Sequence, residues 1–398
     1  MQRSTIIHVL RMAAVALTQA VATEDIPAAI WWLMWAAFVV EQASQYDSAL
    51  RRLSRFYFTR PDLLLPTDAP AAAVLQSRTD KGMLQFMHVD RRTFDLILEN
   101  VDPMWVRSRL PAGENGRVGR PNMLSGELCV ALALTWMCTT VNEAQLEQLY
   151  GVGHSVVNRD LDEGLEQLEN ACVRLGCVPQ WPSRDRQEQL AEVMDEYWGP
   201  DIFGTKAFAL VDGLRSPVES PGGLVAQNLL YSGFMREVNV LSLLVFTIDG
   251  KIIYADVGHP GRMSDNTLQP RLTHILTEPG NLAPGHGILG DDIFRNAATD
   301  RIYITQYHVP DIIDAEFVRE NRNLFAVQQK AKRQGVEWGM RSIQTMWPRI
   351  KKALPNDPAK RIARLRLAVY LTNLLAEYVN HHNELKTVYM EAFLRNGE

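Results

Sequence analysis

Cysteine is scarce in this chain: Cys129, Cys138, Cys172 and Cys177 are the four among 398 residues. So few cannot staple a chain of this length, which excludes a disulfide framework and fits a reducing compartment. Cys172 and Cys177 have no second pair at zinc-binding spacing, so buried thiols are expected rather than a zinc site. Apolar runs long enough for a membrane are also missing. Residues 26–40 (IPAAIWWLMWAAFVV) carry no charge. The run falls short of the ~20 residues that span a bilayer, and Glu24, Asp25 and Glu41 bracket it, so a buried helix and no membrane are expected. It also lies too far into the chain for a usual signal peptide. Cationic excess is absent: the formal net charge is −5. That counts mildly against a protein that coats nucleic acid with its whole surface, but not against one with a local basic groove. Internal repeats and low-complexity tracts are lacking too.

What is present is ordinary for a globular protein, with 46% hydrophobic and 22% charged residues. At ~150 residues per domain the chain holds two or three units. Residues 1–58 read as helices, and Pro61, Pro66 and Pro70 mark a linker. Residues 88–101 predict a short helix with Phe94, Ile97, Leu98 and Val101 on one face. Residues 107–123 combine glycines and prolines with Arg107, Arg109, Arg117 and Arg120, a loop suited to phosphate or simply to solvent. The stretch 146–161 (LEQLYGVGHSVVNRDL) has the layout of a helix-turn-helix. Its second helix offers His154, Ser155, Asn158 and Arg159 to DNA but also Asp160, Asp162 and Glu163, which phosphates repel. A plain helical hairpin fits the same stretch.

After residue 200 the texture changes. Residues 207–212 (AFALVD) are an apolar run ending in Asp212, and Gly213 is expected to stop the strand. Residues 240–257 are two β-rich runs joined by Asp249-Gly250, a hairpin signature. The turn 258–264 leads to a helix that Ser264 or Asp265 can cap. Residues 285–292 (GHGILGDD) read as a strand ending in two acids, and 302–307 as one more strand. Residues 336–350 place Val336, Met340, Ile343, Trp347 and Ile350 on one helical face, with Glu337 at its edge and Pro348 ending the helix. Strand, hairpin, helix, strand, strand and late helix is the order of an RNase H-like core. The expected regions are therefore 1–120, helical with linkers; 121–200, helical with the helix-turn-helix; and 201–398, an α/β RNase H-like nuclease domain with a mixed sheet and C-terminal helices. Carboxylates from separate elements can cradle two Mg²⁺ ions, which accept hard oxygen ligands and serve phosphodiester chemistry.

The segments VDG (211–213), HPGRMSD (259–265), LGDDIF (289–294) and VEWGM (336–340) together resemble the Harbinger-type DDE transposase family. The resemblance covers roughly 205–390. It implies that Asp212, Asp265, Asp291 and Glu337 are the metal-binding acids. Strand-end placement further suggests Asp212, Asp291 and Glu337 as the core trio, with Asp265 auxiliary. It also implies DNA as substrate, Mg²⁺ or Mn²⁺ as cofactor, a nuclear location and a Myb-like accessory protein, with a homo-oligomer left open. The neighbours of the acids depart from the family: Leu214 and Arg215 follow the first motif where Thr or Cys and then His are common, Arg262 replaces a Ser, and Asp292, Ile293 and Phe294 follow Asp291.

Residues 319–366 gather Lys and Arg around Glu337, which marks a DNA-facing surface, with Lys330, Lys332, Arg333 and Arg341 as phosphate contacts. His259, His286, His381 and His382 are candidates for groups around the site. Two functions of different kinds fit: an active metal-dependent nuclease or transposase, and a catalytically inactive descendant that binds DNA or protein.

Overall fold

The computed structural model describes residues 60–77, 79–109, 122–200, 206–294, 302–305 and 315–379, with residues 58 and 204 and short helical pieces between 14 and 35. The chain divides into two compact units, Met1–Asp62 and Leu63–Glu398. In the first, Ile30, Leu33 and Met34 are exposed. The buried helix expected over 26–40 is therefore not met at these positions, and much of that run lies outside the described residues. Among the described residues no helix is long and apolar enough to cross a membrane.

The second unit begins with helices α1 (Pro70–Ser77), α2 (Asp80–Met87), α3 (Arg91–Glu99), α4 (Pro103–Ser108), α5 (Gly126–Cys138), α6 (Glu143–Tyr150), α7 (His154–Arg174) and α8 (Arg184–Trp198). Their starts are written locally. Thr79, Asp90, Asp102, Ser125, Asn142 and Ser183 each accept a hydrogen bond from the first turn of the helix that follows. The linker inferred from Pro61, Pro66 and Pro70 is shorter than expected, because Pro70 already opens α1, a position where its missing N–H costs nothing. Helix α5 is apolar all round and buried along almost its whole length, so it forms the centre of the helical layer. All four cysteines are free and buried, as expected.

The sheet comprises β1 (Lys206–Pro217), β2 (Tyr231–Ser232), β3 (Glu237–Thr247), β4 (Ile252–Pro260), β5 (His286–Leu289) and β6 (Tyr303–Ile304). Helices α9 (Leu224–Leu230), α10 (Asp265–Thr277), α11 (Ala315–Met346) and α12 (Pro358–Tyr378) complete the described fold. β1 pairs antiparallel with β3 and parallel with β5; β3 pairs antiparallel with β4, and β5 parallel with β6. The order β4-β3-β1-β5-β6, with short β2 also on β3, is that of a mixed RNase H-like sheet. The Asp249-Gly250 hairpin is present, with Gly250 at φ 83.

One local expectation is overturned. Gly213 does not stop β1, which runs on to Pro217. Residues 213–217 stay in register with β3 through Gly213↔Leu243 and Pro217↔Asn239, and Leu214 and Ser216 are buried. A paired, half-buried ladder outweighs a glycine's modest cost in a strand. The late helix is also longer than expected: α11 begins at Ala315 and ends at Met346, just ahead of Pro348. Helix α11 packs on β1 and β5, α8 on β1, α10 on β3, and α12 on β4 and α7. Asn373 of α12 ties its helix to the sheet, accepting from the Ile252 N–H at 2.7 Å and donating to the carbonyls of Ile252 at 2.9 Å and Cys177 at 3.1 Å.

Candidate active site

Asp212 lies on β1, where its Oδ1 accepts from the Gly213 N–H at 2.8 Å. Asp265 opens α10 and reaches back to β1. A Cβ on Gly213 would stand 2.6 Å from the Asp265 Cγ and 2.9 Å from its Oδ2, so only glycine leaves room for this carboxylate. Asp291 follows β5. The parallel register Leu210↔Leu289 carries Asp212 and Asp291 to the same level of neighbouring strands. Its Oδ1 takes an ion pair from Arg333 Nη1 at 3.2 Å. Helix α11 supplies Arg333, and Glu337, one turn further on, is exposed.

The electrostatics tie three of these acids together. Burial pushes the Asp212 carboxyl up to about 6, and Asp265 and Asp291 add to the rise against the Gly213 N–H and Arg333. Burial also raises Asp265, helped by Asp291 and opposed by Arg215. Asp265 Oδ1 is buried with no hydrogen-bond partner. Among the described residues, however, no three His, Cys, Asp or Glu side chains are close enough to hold one metal ion. Asp291 is drawn toward Arg333 while Asp265 rests against Gly213, so the acids interact at longer range than direct ligation needs.

The predicted DNA surface is partly corrected. Lys332 is 1% exposed, and its Nζ donates to Asp195 Oδ1 of α8 at 3.0 Å, which removes it from any phosphate-facing surface. Arg333 is engaged by Asp291, whereas Lys330 and Arg341 are exposed. Several other cations of the basic stretch tie helices together. Lys360 pairs with Asp162 at 2.6 Å and Arg366 with Glu169. Arg349 and Arg364 both stack on Trp136, at 4.3 and 4.7 Å from its ring centre. The acids of α7 are accounted for in the same way. Asp160, expected on an exposed face, is buried and pairs with Arg109, itself buried rather than phosphate-touching. Helices α6 and α7 thus form a hairpin packed on the core, with Ser155, Asn158 and Arg159 exposed at its start.

The histidines are distributed elsewhere. His259 pairs with Asp256, and His286 stands 3.1 Å from Glu188. His381 and His382 lie outside the described residues. A residue that the sequence reading passed over is Arg215, whose guanidinium donates to Gly261 O at 2.9 Å and Met263 O at 3.1 Å, on the loop that leads into Asp265.

Residues 211–373 match the DDE superfamily endonuclease family. This stretch is similar to that endonuclease family. The matched span runs from β1 into α12 and contains Asp212, Asp265, Asp291 and Glu337. No curated protein and no solved structure matches the chain. The family match suggests a nuclease of the transposase kind.

Proposed function

We propose that the chain is a Harbinger-like DDE transposase, or a nuclease derived from one, that cleaves or joins DNA phosphodiesters with divalent metal. The observation that carries this is the family match over residues 211–373, within which the Asp265 carboxylate lies against Gly213 next to Asp212, and Asp291 follows the strand paired with β1. The residues fit Mg²⁺ or Mn²⁺ in chemistry: the donors are hard carboxylate oxygens, one of them buried and unpartnered. Divalent ions held there would supply activation of the attacking oxygen and stabilisation of the leaving one. Asp212, Asp265 and Asp291 would hold them, with Glu337 joining from α11. The contact of Asp265 with Gly213 supports a place for it beside Asp212, not merely an auxiliary one. Asp212 binds a cation in its ionised form, which burial disfavours at low pH. Arg333 neutralises Asp291 in the meantime.

The inactive-descendant reading draws on that same Arg333 ion pair, which already satisfies Asp291. Nicking of supercoiled DNA separates the two. Cleavage that needs Mg²⁺ or Mn²⁺ and disappears in Asp212→Ala is the expected result; DNA binding with no cleavage under either metal would favour the inactive form. A nuclear location, a Myb-like accessory protein and a homo-oligomer belong to this proposal on the resemblance alone.

DNA is expected to cross the exposed cations of α11. Replacing Lys330 and Arg341 together by Ala should weaken binding and reduce the slope of log affinity against log salt by about two, at ~0.9 per phosphate contact. Fluorescence titrations at several salt concentrations measure it. An unchanged slope would place the DNA elsewhere.

A further inference from the structure

Asp265 opens α10 directly after a loop, whereas its neighbour Asp212 is on β1. Something must hold that loop to the strand. Arg215 lies three residues after Asp212 on the same strand. Its Nη1 donates to Gly261 O at 2.9 Å, Asn239 Oδ1 at 3.3 Å and Ser232 Oγ at 3.5 Å; its Nη2 donates to Met263 O at 3.1 Å. One planar fork therefore binds two carbonyls of the segment immediately before Ser264 and Asp265, and anchors them to Asn239 of β3 and Ser232 of β2. The loop has no slack at this point. A Cβ on Gly261 would lie 2.5 Å from Leu230 O, so the segment lies directly against the backbone beneath it. At the other end of the same short path Asp265 fills the space that Gly213 leaves.

We propose that Arg215 is a positioning residue that fixes the 261–265 loop, and through it the Asp265 carboxylate, beside Asp212. The proposal rests on the metal-dependent function argued above. The Arg215 guanidinium is engaged by the loop and by Asn239 and Ser232. A lysine keeps the charge but cannot reach both carbonyls in one plane, and so is not equivalent here.

The test is the rise in unfolding temperature that Mn²⁺ produces, titrated in the natural chain, Arg215→Lys, Asp265→Asn and the double variant. Ligand that binds only the folded state raises its stability with concentration, so the titration reads affinity without cleavage. Arg215→Lys is expected to unfold near the natural temperature without metal and to need about tenfold more Mn²⁺ for half the shift, the usual loss when a group orienting a metal ligand is removed. In the Asp265→Asn background the same change should add nothing, because the aspartate it places is gone. Arg262→Ala, at an exposed position of the same loop, should keep the natural midpoint. A natural chain that ignores Mn²⁺ would overturn the proposed function and this inference with it. A natural chain that responds while Arg215→Lys matches it would overturn the inference alone. If both Arg215→Lys and Arg215→Gln lose the fold, the arginine is a structural tie of the sheet, and the inference is likewise overturned.

Discussion

Asp212→Asn should unfold at higher denaturant than the natural chain above about pH 6, while cutting no DNA. The folded Asp212 carboxyl is pushed up to about 6 from its ordinary 3.8, first by burial and then by Asp265 and Asp291. Between those two values the folded state keeps a proton that the unfolded chain has lost. Stability therefore falls as pH rises through that window and stays low above it. About two pK steps at ~1.4 kcal/mol each set the upper limit near ~3 kcal/mol. Asparagine has the same shape and no charge, and its oxygen can still accept from Gly213. The gap between variant and natural chain should be near zero at pH 4 and largest at pH 8. Denaturant curves across that range, in chelator, measure it. A variant no more stable at pH 8 than at pH 4, relative to the natural chain, would show that Asp212 is not a strained anion. Cleavage should fall to background, because the variant lacks a carboxylate that would hold the metal.

The opposed signs follow from one cause. A carboxylate buried among other acids pays first for lost hydration and then for repulsion, so it is a stability cost until a cation arrives. The order of elements came from periodicity and turn chemistry. Asp265 opens α10 and Asp291 follows β5, but Asp212 sits inside β1 rather than at its end, because the strand continues to Pro217. Asp249-Gly250 gave the hairpin outright, since only a few residue pairs accept that turn.

Where local rules failed, a non-local partner had outweighed them. Gly213 looked like a strand end because no local signal reports that β3 continues opposite it. It is a glycine for another reason, the Asp265 carboxylate pressed against it, and that neighbour is 52 positions along the chain. Arg215 was passed over as a departure from the family's pattern. Its acceptors are mostly backbone carbonyls and small polar side chains of distant segments, which carry no sequence signature. Lys332 could have been found. The spacing through Ile343, Met340 and Val336 extends backward by the same four and three to 332, 329 and 325, and Lys332, Gln329 and Phe325 are all buried. Its charge concealed a position that the periodicity had already assigned to the interior.

That assignment makes Lys332→Ala the most damaging substitution among the basic residues of α11. Lys332 is 1% exposed and its ammonium is held by Asp195 at 3.0 Å. Truncation removes a long buried stem and leaves Asp195 without its partner. A fully buried pair broken from one side costs ~3–5 kcal/mol. The Asp195 side chain keeps 25% of its exposure, so water recovers part of that, and a loss of about 3 kcal/mol is expected. Lys332→Met retains most of the volume and should cost less, which separates lost packing from lost charge. Lys330→Ala, two residues away and exposed, should stay within ~0.5 kcal/mol of the natural chain. DNA binding should sort the two the other way. For Lys330 the salt slope drops by about one contact, whereas the folded fraction of Lys332→Ala binds with the natural slope. Denaturant melts paired with salt titrations of DNA affinity test both halves together. If Lys332→Ala kept its stability and flattened the salt dependence, the lysine would be facing phosphate after all, and α11 would be turned about its axis from the orientation that its buried face defines.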